Sequence, residues 1–255
     1  MRHCNYILII SLLFIVTSCG ISEDCFKGNG NRITQNFPLE GFTKVKVYDG
    51  VGLIIKEGPD YEVRIETSDN IIDNLEVKLE GDMLVVKDNS TCNIARDYGQ
   101  TIVNVIVPDG SVLPLVQELE LYSKTEQIIQ SKGILHSPII RLFSLDESDD
   151  SGTGDFIITI TSNGQLVIES NTVSNFHING FCEEMLLNFY FGNGRFYGKD
   201  MEVNEITVFH RGSNDMIVNP LQKIEGTIYA TGNVILKNVP IEVNVQELFT
   251  GRLIY

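Results

Sequence analysis

The residues of this 255-residue chain that could do chemistry are a few histidines, an acidic run and a group of aromatics. His136, His177 and His210 have no metal-type spacing, and they read as surface or rung positions. The densest charge is Asp146-Glu147-Ser148-Asp149-Asp150-Ser151-Gly152-Thr153-Gly154-Asp155. Oxygen ligands this close can hold a hard cation, which makes Asp146, Asp149, Asp150 and Asp155 the candidate metal ligands. Read as a calcium loop from Asp149, however, the run puts Ile160 where the closing Glu belongs. A solvated turn is therefore the expectation, and no cofactor is. G-x-S-x-G, P-loop and H-E-x-x-H motifs are all absent.

A spacing of twenty puts Asp155, Asn175, Arg195 and Asp215 in one column. Glycoside cleavage needs paired carboxylates facing one groove. The mixed charges of this column instead avoid stacking like on like, so it reads as an outward-facing ladder. Phe189, Tyr190, Phe191, Phe196 and Tyr197 gather within nine residues. Alternation sends some inward as core and leaves Tyr190 and Tyr197 outward, able to stack on a glycan or protein partner together with Arg195 and Asp215.

The start of the chain places this chemistry outside the cytoplasm. Met1-Arg2-His3 is a basic head, and Ile7 to Val16 is almost wholly aliphatic. That run covers about half of what a bilayer core requires, so residues 1–18 read as a secretory signal and not as a membrane span. It ends in Val16-Thr17-Ser18-Cys19-Gly20, which resembles the lipobox of bacterial lipoproteins. The resemblance implies a lipidated Cys19 at the mature N-terminus and a membrane partner through that lipid. Ser22-Glu23-Asp24 resembles the surface-export signals of Bacteroidetes lipoproteins, and residues 19–36 read as a tether. Beyond Cys4 in the leader and Cys19, the widely spaced Cys25, Cys92 and Cys182 fit neither a disulfide framework nor a zinc site. A Cys25–Cys92 pair stays open, and Cys182 reads as a buried thiol.

Composition removes several classes. An apolar content of 43% is too high for disorder, and 34 acidic against 19 basic residues, net −15, argues against nucleic-acid binding. The elements that must position the candidates are strands. Val45 and Val47 alternate with Lys44 and Lys46; Tyr61, Val63 and Ile65 with Glu62, Arg64 and Glu66; Leu75, Val77 and Leu79 with Glu76, Lys78 and Glu80. Gly81-Asp82 marks a hairpin, and Pro108-Asp109-Gly110 stops a strand at Val103, Val105 and Val107.

A repeat of twenty dominates the C-terminal half. Gly152, Gly192, Gly212 and Gly232 share one phase, with Phe156, Phe176, Phe196, Met216 and Leu236 in another and Ile168, Asn188, Val208 and Ile228 in a third. Such a period predicts a solenoid whose rungs bury their apolar faces only by stacking, about 4.8 Å apart, with corner glycines at positive φ.

Gly41-Phe42-Thr43-Lys44-Val45-Lys46-Val47 and Gly50-Val51-Gly52-Leu53-Ile54-Ile55-Lys56-Glu57-Gly58 resemble the opening of the auto-transporter adhesin head GIN domain family. Asn70-Ile71-Ile72-Asp73, the hairpin from Leu75 to Val86, Gly226 to Val234 and the closing Gly251-Arg252-Leu253-Ile254-Tyr255 extend the likeness over residues 37–255. The resemblance implies an all-β, right-handed parallel β-helix on an exported, lipid-anchored envelope protein. Degenerate turns at Thr172-Val173-Ser174 and Gly212-Ser213-Asn214 depart from the family's Gly-Ser-Gly turns. The expected function is non-catalytic: a cell-surface or outer-membrane protein for adhesion or envelope assembly, with a glycan or protein partner and room for oligomers. A polysaccharide-binding or polysaccharide-processing protein is the alternative.

Overall fold

Alternation decides the element type almost everywhere in the computed structural model, which describes residues 28–90, 97, 99–147 and 151–255. The signal segment, Cys19, Cys25, Cys92, Asp149 and Asp150 lie outside the described residues. Seventeen strands and a single 3-10 turn at Ile72–Asn74 make up the described elements. The first seven strands are β1 (Arg32–Phe37), β2 (Lys44–Tyr48), β3 (Val51–Gly58), β4 (Glu62–Ser68), β5 (Leu75–Glu80), β6 (Met83–Asp88) and β7 (Thr101–Pro108). Then come β8 (Glu118–Lys124), β9 (Ile129–Leu135) and β10 (Ile139–Ser144). Four long strands follow, β11 (Phe156–Ser170), β12 (Asn175–Phe189), β13 (Arg195–His210) and β14 (Met216–Ile228), and the chain closes with β15 (Val234–Leu236), β16 (Glu242–Glu247) and β17 (Leu253–Ile254).

The long strands each bend once. Register shifts at Ser162/Gln165, His177/Gly180 and Tyr197/Glu202 divide them into two limbs, so every rung contributes to two ladders. One ladder runs β1, β4, β7, β3, β9, the first limbs of β11 to β14, β15 and β17. The other runs β5, β6, β2, β8, β10, the second limbs of β11 to β14, and β16. The sheet is all-β, as expected, but mixed. β1–β4, β4–β7 and β5–β6 are antiparallel, and the rest are parallel. A uniform stack of rungs in chain order is not what the N-terminal half adopts. β2 and β3 lie between β6–β7 and β8–β9, so the chain doubles back before stacking regularly. The antiparallel strands cover the edge that a parallel stack would leave open at that end.

Residues 32–36 also differ from the tether reading, since β1 pairs along β4 and Phe37 packs on the core. A six-residue strand with a half-buried Ile33 gains ladder hydrogen bonds that a solvated tether would forgo.

The core is built in columns. Ile65, Val103, Leu53, Ile129, Phe156, Phe176, Phe196, Met216 and Val234 stand in register across the first ladder, all buried. Phe156 and Phe176 stack at 4.7 Å. The four expected members from Phe156 to Met216 are therefore neighbours, but Leu236 pairs with Val218 instead, because the last repeat shortens to eighteen. The Ile168, Asn188, Val208, Ile228 column is also corrected. Ile168 pairs with Leu187, Leu187 with Val208, and Val208 with Gly226. The bends absorb residues unevenly, and a slip of one residue puts Asn188 on the outer face and Leu187 inside. Of the four corner glycines only Gly192 takes a positive φ. The others answer to close approach: a Cβ on Gly152 would lie 2.3 Å from Ser123 O, and one on Gly232 2.2 Å from Asn214 O.

Candidate functional site

The turn that precedes each long strand carries the predicted polar column. Asp155 Oδ1 accepts the Asn175 backbone N–H at 3.2 Å and its side-chain amide at 3.0 Å. Asp215 Oδ1 accepts the same two groups from Asn233, both at 2.9 Å, and Asn233 Oδ1 accepts the Arg252 N–H at 2.9 Å. Arg195 donates to Asn214 Oδ1 at 3.0 Å. Asp155 and Asp215 thus spend hydrogen bonds on the next rung, satisfying turn N–H groups that the strand ladders leave unpaired. The two carboxylates of the column hold turns together.

Among the described residues no group of three or more His, Cys, Asp or Glu is placed to hold a metal. Asp146 is engaged through its backbone, its N–H donating to Asn171 Oδ1 at 2.5 Å. The histidines go three separate ways. His136 donates or accepts through Nδ1 at 2.8 Å from Glu57, whose carboxylate also takes the His136 and Ser137 N–H groups at 2.6 and 3.1 Å. His177 lies 3.8 Å from Asp155. His210 is fully buried with neither ring nitrogen hydrogen-bonded; the Asn214 backbone approaches without closing a well-formed bond. Burial pushes its pKa down to about 4, partly opposed by Asn214 and Asp215.

The aromatics form the more coherent outer feature. Phe189 and Phe196 are core, and Phe191 is 53% exposed. Tyr197 stacks on His177 with centroids 4.5 Å apart and planes at 13°. Tyr190 donates its hydroxyl to Glu169 at 2.9 Å and packs its ring against Phe209 at 5.7 Å. Phe209 in turn meets Tyr229 at 4.7 Å, so three rungs present a continuous aromatic ridge. Partial burial, then Glu169, raises the Tyr190 pKa to about 12 and keeps it a donor. Sequence reasoning named Tyr190 but missed Phe209 and Tyr229. Their spacings of nineteen and twenty were the signal, one residue out of phase with the glycine repeat.

The sequence profile described as "Putative auto-transporter adhesin, head GIN domain" matches residues 41–240. The chain belongs to that family. Among solved structures, a putative adhesin from Bacteroides fragilis NCTC 9343 is similar with a TM-score of 0.73 and 14% identity, covering 89% of this chain and 98% of its own. A putative adhesin from Parabacteroides distasonis ATCC 8503 has a TM-score of 0.57 and 12% identity, with 89% and 99% covered. At such identities the likeness is one of fold. No curated protein matches.

Two buried groups anchor corners of this head GIN domain. Lys124 Nζ donates to Leu145 O at 2.8 Å and to Glu147 at 2.9 Å from a fully buried stem. Cys182 is a free, buried thiol, as its apolar flanks predicted, and burial pushes its pKa up to about 12. No helix among the described residues is long and apolar enough to cross a membrane.

Proposed function

We propose that this head GIN domain is a non-catalytic, lipid-anchored protein of the cell envelope. On this reading its rungs form a right-handed parallel β-helix that presents the Tyr190–Phe209–Tyr229 ridge to an adhesion or assembly partner. Aromatic rings in tilted contact across three rungs on the outer face are the observation that carries it. Such side chains gain little from partial exposure in the free protein, whereas a partner covering them removes large apolar area from water. The strong preference of parallel crossovers for the right hand supports the coil's sense. Adhesin is also the description carried by the family and by the solved relatives. The lipobox ending in Cys19 supports the anchor, and two or more acyl chains hold a protein where one would not.

The double variant Phe209→Ala, Tyr229→Ala should keep its fold and lose at least tenfold in attachment to envelope material or host matrix. Equal attachment would sink the ridge as the contact surface. Cys19→Ala should move the protein from the membrane to the soluble fraction. A second reading, polysaccharide binding, rests on the Tyr197–His177 stack beside Asp155 and Arg195, an aromatic platform edged by polar groups. Glycan-array binding that survives the ridge variant and fails in Tyr197→Ala would favour it.

A further inference from the structure

The outer face of the N-terminal half holds a cleft of about 50 Å³ between β3, β4, β7 and β9, with Ile54, Lys56, Glu62, Arg64, Asn104 and Lys132 among its walls. That volume exceeds the ~10–15 Å³ that a single water needs on the same measure and leaves room for a small oxyanion. The register explains the grouping. Lys56 pairs with Ile106 and Ile106 with Glu62, while Ile54 pairs with Asn104 and Asn104 with Arg64. β9 follows β3 through Ile55 and Ser131, which brings Lys132 alongside Lys56.

Lys132 reaches this position through a bulge. Gln130 pairs with Ile157 of β11, yet Ile134 pairs with Thr159, so residues 131–133 stand opposite Ile158 alone. Gly133 takes a φ of +95°, and Ser131 Oγ donates to Gly133 O at 3.0 Å while accepting the Thr159 N–H at 2.9 Å. Bulges re-aim a side chain, and this one carries Lys132, which lines the cleft together with Lys56.

That juxtaposition is unfavourable as it stands. Like charges side by side on neighbouring strands repel. Neither Lys56 nor Lys132 has an ion-pair or hydrogen-bond partner among the described residues. Arg64 Nε is buried without a hydrogen bond; its guanidinium lies 3.8 Å from Glu62 and 3.5 Å from Glu66, beyond good hydrogen-bond length. Glu66 is shared with Arg32 at 3.7 Å and accepts the Asn104 amide at 3.2 Å. Four cations thus face two carboxylates here, in a chain whose net charge is −15. Two unpaired ammonium groups, one of them carried on a bulge, and the Arg64 guanidinium border a space of oxyanion size.

We propose that this cleft binds one oxyanion group, a carboxylate, sulfate or phosphate, clamped between Lys56 and Lys132 with the Arg64 guanidinium in its wall. The net charge of −15 over the whole chain favours an isolated anionic group over a polyanion. The inference goes beyond the adhesion reading and stands apart from it, since the ridge lies on the turn after β12, on β13 and on the turn after β14.

The test is a titration of the protein at low ionic strength with sodium sulfate, sodium phosphate and glucuronate, followed by amide NMR shifts. Sodium chloride at matched ionic strength and neutral glucose are the controls. At least one oxyanion should give saturable shifts confined to residues around 54–64, 104 and 132, and should raise the melting temperature by mass action. The anion that saturates at the lowest concentration names the source. Lys56→Ala with Lys132→Ala should weaken binding at least tenfold without lowering the anion-free melting temperature, whereas Lys56→Arg should retain it. Absence of saturation with all three anions, equal shifts with chloride, or unchanged binding in the double alanine variant would overturn the proposal.

Discussion

The two halves of the molecule stack parallel strands in different ways. From β11 to β14 each rung follows its predecessor, and one inward residue rests on the residue about twenty positions earlier. From β1 to β9 most neighbours other than the β5–β6 hairpin are distant in sequence: β2 sits between β6 and β8, and β3 between β7 and β9. The ends differ as well. Antiparallel strands close the N-terminal end, whereas at the C-terminal end Ile241, Leu248 and Phe249 are 92%, 60% and 59% exposed beside the edge strands β16 and β17. A stack of nearest-neighbour rungs is stabilised unit by unit, while an interlocked set has to form together.

Deleting a column member in each half breaks or sharpens that contrast most. Phe176→Ala should cost about 3–5 kcal/mol and Leu53→Ala about 2–5 kcal/mol. Hydrogen exchange should then show the first loosening β11 to β17 alone and the second loosening both halves. Uniform loosening by Phe176→Ala would make the chain one cooperative unit.

Buried polar groups give the next largest effects. With a pKa of about 4 in the fold against about 6.5 unfolded, His210 binds its proton more readily when unfolded. Stability is unaffected by this group above pH 6.5, falls as the pH drops toward 4, and levels below it; the loss is about 3 kcal/mol. In His210→Leu this slope should vanish from urea melts across that window. In the N-terminal half Glu57→Gln should cost about 1.5–3 kcal/mol, because a carboxylate holding two backbone N–H groups and His136 is replaced by a neutral acceptor. Asn175→Ala, which removes one rung-to-rung amide bond, should cost about 1 kcal/mol by thermal melting. Cys182 should resist thiol reagents until the fold opens, since its thiolate is disfavoured by burial.

Period-two alternation made most strands legible, including β2, β4, β5 and β7, and the Gly81-Asp82 hairpin with them. The Phe156–Phe176–Phe196–Met216 column was legible because the turn and first limb keep a constant length across three rungs. The Asn188 column was not, because bends take up residues unevenly and no residue type marks where. β1 escaped notice because its pattern of exposed Arg32, Thr34, Gln35 and Asn36 looks like tether until β4 is beside it. The ridge was half visible, through Tyr190 alone.

The sequence by itself determined an acidic, all-β chain and its family membership, since alternation, charge and motif are local properties. Only the tertiary structure decided that β2 and β3 are threaded between later strands, that His210 is buried with neither ring nitrogen hydrogen-bonded, and that Lys56, Arg64 and Lys132 share a cleft. Those facts depend on which strand lies beside which. Strand pairing joins residues tens of positions apart through identical backbone groups, so no local pattern names the partner.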